Sequence, residues 1–95
     1  MLKNRLIAEE IANGHAFEKH VVKQGEFPGI SRREFELLIR NVLNNPAEMK
    51  VLTSGRTGYW CQKSGMVVIR DPARIDGGTA FRPILGKRYY EDVLR

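Results

Sequence analysis

Cysteine, histidine and long apolar runs are what this 95-residue chain has least of. Its one cysteine, Cys61, excludes an internal disulfide and points to a reducing compartment. One thiol and two histidines, His15 and His20, cannot build a four-ligand zinc site without carboxylates, so no metal or other cofactor is expected. No apolar run approaches the roughly 20 residues of a membrane span. After Met1–Arg5, Glu9 and Glu10 interrupt any apolar stretch that could serve as an export signal. Repeats and low-complexity linkers are also missing, and the length suits one domain over residues 1–95 with one modest core.

Positive charge is plentiful. Sixteen Lys and Arg against eleven Asp and Glu give a net charge of +5, which makes a polyanionic partner a reasonable expectation. Residues 1–55 hold eight basic and seven acidic groups, whereas residues 56–95 hold eight and four, so the cationic surface belongs to the second half.

Periodicity divides the chain at Pro46. Leu2, Leu6, Ile7 and Ile11 recur at helical spacing, and Asn13-Gly14 supplies a left-handed C-terminal stop. A second, shorter helix is predicted over 15–22, closed by Gln24-Gly25. Ser31 and Glu34 form a capping-box pattern before a third helix whose buried stripe is Phe35, Leu38, Ile39 and Val42. Beyond Pro46 the period moves toward 2, predicting strands at 48–53, 56–62, 66–70 and 78–82, with 87–94 a last strand or a short helix. The expected class is α+β, N-terminal helices packed on a C-terminal antiparallel sheet of about four strands. If Ser64-Gly65 is a two-residue hairpin loop, Trp60 lies opposite Ile69 and Tyr59 opposite Arg70. Trp60, Val67 and Ile69 would then face the helices, and Tyr59 and Arg70 the open side.

Three segments carry candidate chemistry. His15 and His20 are five apart, about 140° out of phase on a helix, which argues against a metal pair. His20 lies between Lys19 and Lys23, an arrangement that attracts phosphate, while His15 reads as an N-terminal helix residue. The stretch 54–60 offers the Arg56 guanidinium, the Thr57 hydroxyl and the Tyr59 phenol, a set suited to an oxyanion beside an aromatic platform. In 76–83 a double glycine precedes Thr79 and Arg82, so backbone N–H groups and a hydroxyl can approach a phosphate. No Walker lysine or helix follows, which excludes a P-loop.

Taken together, Lys19-His20-Val21, Gln24-Gly25-Glu26-Phe27-Pro28-Gly29-Ile30, Gly55-Arg56-Thr57-Gly58-Tyr59-Trp60, Gly65–Pro72 and Asp76–Pro83 form a distinctive order. In this the chain resembles the C-terminal ribonuclease domains of bacterial polymorphic and contact-dependent inhibition toxins. Those are similar in turn to the wider group spanning barnase, colicin D and the RelE-type toxins. The resemblance covers about residues 15 to 94. It implies metal-independent RNA cleavage, with tRNA one candidate substrate, by attack of the ribose 2′-hydroxyl on the neighbouring phosphate.

In that chemistry His20 takes the 2′-hydroxyl proton and Arg56 binds the phosphorane. Thr79 and Tyr59 hydrogen-bond the phosphate or relay a proton, while Lys23, Arg70 and Arg82 hold flanking phosphates. The resemblance also implies a cognate acidic immunity or antitoxin protein as partner, and action in the cytoplasm of the producing or a target cell. Family toxins end a long secreted polypeptide, whereas this chain begins with Met, so an excised or orphan domain is expected. Two alternatives share the basic second half: a non-catalytic RNA-binding module, and an interaction domain that docks an acidic protein.

Overall fold

The computed structural model describes residues 2–95, in which helices precede a four-stranded antiparallel sheet, an α+β arrangement. Helix α1 spans Leu2–Asn13 and presents Ile7, Ala8, Ile11 and Ala12 as a fully buried stripe. Its stop differs from the expected left-handed glycine, because Gly14 does not adopt a positive φ. Gly14 is needed for space: a Cβ there would stand 2.4 Å from Cβ of Asp76.

The predicted second helix is present, but wound as a π-helical segment over Phe17–Lys23. Helix α2, Arg32–Asn44, begins as the capping box requires: Ser31 Oγ accepts from the Glu34 N–H at 3.1 Å and Glu34 Oε1 from the Ser31 N–H at 2.9 Å. Phe35, Ile39, Val42 and Leu43 of α2 pack on the α1 stripe, and Phe17 and Phe27 meet the Phe35 ring edge-on at 5.9 and 5.5 Å.

The sheet is a meander in the order β1 (Glu48–Val51), β2 (Thr57–Cys61), β3 (Met66–Arg70) and β4 (Gly78–Phe81). The β2–β3 register corrects the sequence expectation. Trp60 pairs with Val67, Tyr59 with Val68 and Cys61 with Met66, so the loop is the four residues 62–65 rather than Ser64-Gly65 alone. A shift of two keeps the predicted partition of side chains between faces.

The orientation of the sheet is the reverse of the one expected. The face bearing Tyr59, Cys61, Met66, Val68 and Ala80 packs on α1 and α2. The face bearing Trp60, Val67 and Ile69 is covered by Leu52, Tyr90 and Leu94. Residues 66–69 are buried on both sides of the strand, and such a run has no alternation from which an inner face can be read. Neither face of β2 and β3 is therefore open. The C-terminal cover is a short π-helical turn, Tyr89–Val93, and Gly58 makes room for it, since a Cβ at this position would come within 3.0 Å of Leu94. Lys87 ties the same segment to β1 through Glu48 at 2.5 Å.

Among the described residues no helix is long and apolar enough to cross a membrane.

Gly78 is the tightest backbone approach. It has φ +133°, and a Cβ there would lie 1.9 Å from the Ile69 carbonyl oxygen of β3. Gly78→Ala is expected to cost at least about 1–3 kcal/mol, through a strained conformation and a lost β3–β4 register. Gly25→Ala, with φ +62° and open space around it, is expected to cost only about 1 kcal/mol. Denaturant unfolding of the two variants checks the contrast, and equal losses would contradict it.

Candidate active site at the edge of strand β4

Strand β4 is an edge strand, and the chain between His15 and Glu26 meets it at both ends. At the first end the His15 imidazole Nδ1 bonds a carboxylate oxygen of Asp76, in the turn that leads into β4. Arg74 Nε reaches the other carboxylate oxygen at 3.3 Å. Burial of Asp76 works against ionisation, but hydrogen bonds from His15, Arg74 and the Gly78 N–H, with the charge of His15, outweigh it. Its carboxyl therefore titrates below the ordinary carboxylate range.

His15, Arg56, Arg74 and Thr79 line a pocket of about 110 Å³, with Ile69, Asp71 and Gly78 as the rest of its wall. Arg56 is held in place by its own strand entry. The turn Thr53-Ser54-Gly55 has two successive left-handed residues, at φ 61° and 75°, and wraps the guanidinium so that Nε donates to Thr53 O and Nη2 to Thr53 Oγ1, both at 3.0 Å. A third contact, from Nη2 to the Arg95 carbonyl, anchors it to the C-terminus. No Asp or Glu side chain is paired with Arg56 among the described residues, and with Nε and Nη2 committed to Thr53 and Arg95 its Nη1 group is the part left for a further acceptor. The Thr79 hydroxyl is buried and has no hydrogen-bond partner, although its residue is only half-buried. Because Asp76 already holds His15 and Arg74 and the Asp71 carboxylate also lines the wall, the donors left for an oxyanion in this pocket are those of Arg56 and the Thr79 hydroxyl.

At the other end, His20 Nδ1 bonds Glu26 Oε2 at 2.7 Å. The second oxygen of Glu26 accepts the Arg82 N–H at 2.7 Å, and Arg82 Nη1 donates to Glu26 O at 2.9 Å. His20 is 7% exposed and its ring stacks on Phe81, centroids 5.3 Å apart. A carboxylate can only accept, so in the neutral imidazole Nδ1 carries the hydrogen and Nε2 keeps its lone pair. His20 lines a cleft of about 710 Å³ whose wall includes Lys19, Gln24, Phe81, Arg82 and Tyr89. Arg82 is fixed above the Phe27 ring at 4.5 Å, and its Nε donates to Ser64 O at 2.8 Å.

Thr79, which lines the pocket, and Phe81, which lines the cleft, are two residues apart on one face of β4, about 7 Å along the strand.

The expected site residues are thus distributed over four places. Arg56 and Thr79 share the small pocket, and His20 and Arg82 share the cleft. Lys23 is exposed at the end of the π-helical segment. Tyr59 and Arg70 lie on the helix side of the sheet, Tyr59 packed against the core and Arg70 beside Ile7 and Glu10 of α1. The expectation that both look out of an open face is corrected, for the reason given above. His15, which the sequence offered only as a helix residue, stands in the phosphate-sized pocket. Its partner Asp76, and Glu26 beside His20, were legible only as turn and loop residues.

Among the described residues no group of three or more His, Cys, Asp or Glu side chains is placed to hold a metal ion. Comparison with protein-family models, with curated proteins and with solved structures returned no significant match to this chain.

Because Asp76 ionises at lower pH in the fold than in the unfolded chain, it stabilises the fold above its ordinary value of 3.8 and loses that contribution as pH falls through the lowered one. Asp76→Asn is therefore expected to melt below wild type near neutral pH, with the gap closing as the pH drops below 3.8. Melting curves across that range provide the check, and a gap independent of pH would contradict it.

Proposed function

We propose that this chain is an endoribonuclease that cleaves RNA without a metal, by attack of a ribose 2′-hydroxyl on the adjacent phosphate at the edge of β4. The observation that carries the proposal is the pair of imidazoles, each tied through Nδ1 to a carboxylate, at the two ends of one short strand, with a pocket lined by Arg56 and Thr79 at the His15 end. Transesterification needs one group to accept a proton and one to donate a proton, and two oriented imidazoles supply both.

His20, neutral and held by Glu26, takes the 2′-hydroxyl proton on Nε2. The 2′-oxygen then bonds to phosphorus while the bond from phosphorus to the 5′-oxygen breaks. His15, entering as the imidazolium held by Asp76, gives its Nε2 proton to that leaving oxygen. The products are a 2′,3′-cyclic phosphate and a 5′-hydroxyl. Arg56 and the Thr79 hydroxyl hydrogen-bond the equatorial oxygens of the phosphorane, whose charge grows in the transition state, and Arg74 adds to the field around them. Arg82 and Lys23 contact the neighbouring backbone phosphates. Tyr59 has no part in this scheme. On this reading the protein acts where RNA is found, in the cytoplasm, and an acidic inhibitor that covers the cationic edge is its natural partner.

The test is incubation of the purified chain with total RNA in EDTA, followed by mapping of the fragment ends. Discrete fragments ending in 2′,3′-cyclic phosphate are expected, with His20→Ala and His15→Ala each slower by roughly 10²–10⁴-fold and Arg56→Ala by about 10²–10³-fold. Circular dichroism establishes that the variants fold. Intact RNA, or folded variants that cut at the wild-type rate, would overturn the proposal.

A further inference from the structure

The large cleft beside His20 is more than the general-base site requires. At about 710 Å³ it falls in the range of pockets that bind small organic molecules, while the Arg56 pocket, about 110 Å³, holds little more than a phosphate. The two therefore differ in what they can take. The wall of the cleft is mainly apolar: Phe81, Tyr89, Pro83, Ile84 and Leu85. The Phe81 and Tyr89 rings are locked edge to face at 5.3 Å and 88°, so the aromatic part of the wall is preformed. Ile84 and Leu85 project from the loop after β4 and are exposed, Ile84 fully. An exposed apolar rim and an aromatic wall, with the Gln24 amide, the Lys19 ammonium group, the Glu26 carboxylate and the Arg82 guanidinium lining the same cleft, together supply the chemistry that accepts a flat heterocycle with polar edges.

We infer that this cleft is a binding site for one unstacked nucleobase, that of the nucleotide whose 3′-phosphate occupies the His15–Arg56–Thr79 pocket. Phe81 of the cleft and Thr79 of the pocket are two residues apart on one face of β4, so the two sites are neighbours along the strand and are assigned to the base and the phosphate of one nucleotide. His20, in the wall of the cleft, then faces the ribose. Tyr89, Ile84 and Leu85 contact the base faces, and Gln24, whose amide both donates and accepts, reads the polar edge with Lys19. The inference rests on the nuclease reading for the direction of the strand, but the binding it describes can be measured without cleavage.

The experiment is equilibrium titration of the full chain with inorganic phosphate, adenosine 3′-monophosphate and uridine 3′-monophosphate. At least one nucleotide is expected to bind more tightly than phosphate by roughly five- to hundred-fold, the contribution of stacking one base. Tyr89→Leu and Ile84→Gly are each expected to reduce that gain severalfold while leaving phosphate affinity within about two-fold of wild type. Ile84 is fully exposed, so its variant keeps the test sound should Tyr89→Leu fail to fold. Gln24→Ala is expected to alter the preference between the two bases. Nucleotides that bind no better than phosphate, or a gain that survives in both the Tyr89 and Ile84 variants, would overturn the inference. Base-dependent binding in a protein that leaves RNA intact would support the cleft and overturn the nuclease reading. RNA cleavage without a base-dependent gain would do the opposite.

Discussion

A central strand that is apolar on both faces has to be covered twice, and the rest of the fold follows from that requirement. Residues 66–69 of β3 are all buried. One cover is the pair of helices α1 and α2, whose apolar stripes share one core, with the Phe17 and Phe27 rings closing on Phe35 of α2. The other is the C-terminal segment, through Tyr90 and Leu94, together with Leu52 before β2. In a chain of this length the two apolar clusters absorb most of the large side chains. Polar chemistry is then displaced from the sheet faces to the margin of β4, where backbone and side chains meet water.

That margin is built from elements that are far apart in sequence. The segment 15–26 delivers both imidazoles and Glu26, the 71–78 turn delivers Asp76 and Arg74, and the entry to β2 delivers Arg56. Gly14 and Gly78 allow the close approaches: the first accommodates Asp76 beside the end of α1, and the second presses the start of β4 against the Ile69 carbonyl. The carboxylates hold each ring through Nδ1, so both imidazoles are oriented by groups of the chain itself. The proposed chemistry depends on that organisation more than on the net positive charge, which would serve a passive RNA-binding surface equally well.

How much of this the sequence disclosed depended on whether the signal was local. The Ser31 capping box, the α2 stripe and the change of period at Pro46 are short-range patterns, and each appears where expected. The 62–65 loop and the orientation of the sheet are settled by tertiary packing, and residues 66–69, apolar throughout, offered no period to decide them. The same holds at the site. Arg56 and Thr79 stood in glycine-flanked segments that suggested oxyanion binding, and they do share a pocket. His15 meets Asp76 across sixty-one positions, and no spacing along the chain announces that pair. Tyr59 was expected on an open face only because the alternating pattern was assigned to the wrong side.

The account turns on where a phosphate sits. A crystal structure of the chain with a dinucleotide whose first sugar lacks the 2′-hydroxyl, and which therefore resists cleavage, measures this directly. The account predicts the bridging phosphate within hydrogen-bond distance of the Arg56 guanidinium, the Thr79 hydroxyl and Nε2 of His15, with Nε2 of His20 facing the C2′ edge of the first sugar. A dinucleotide bound elsewhere, with the Arg56 and Thr79 pocket unoccupied, would contradict it.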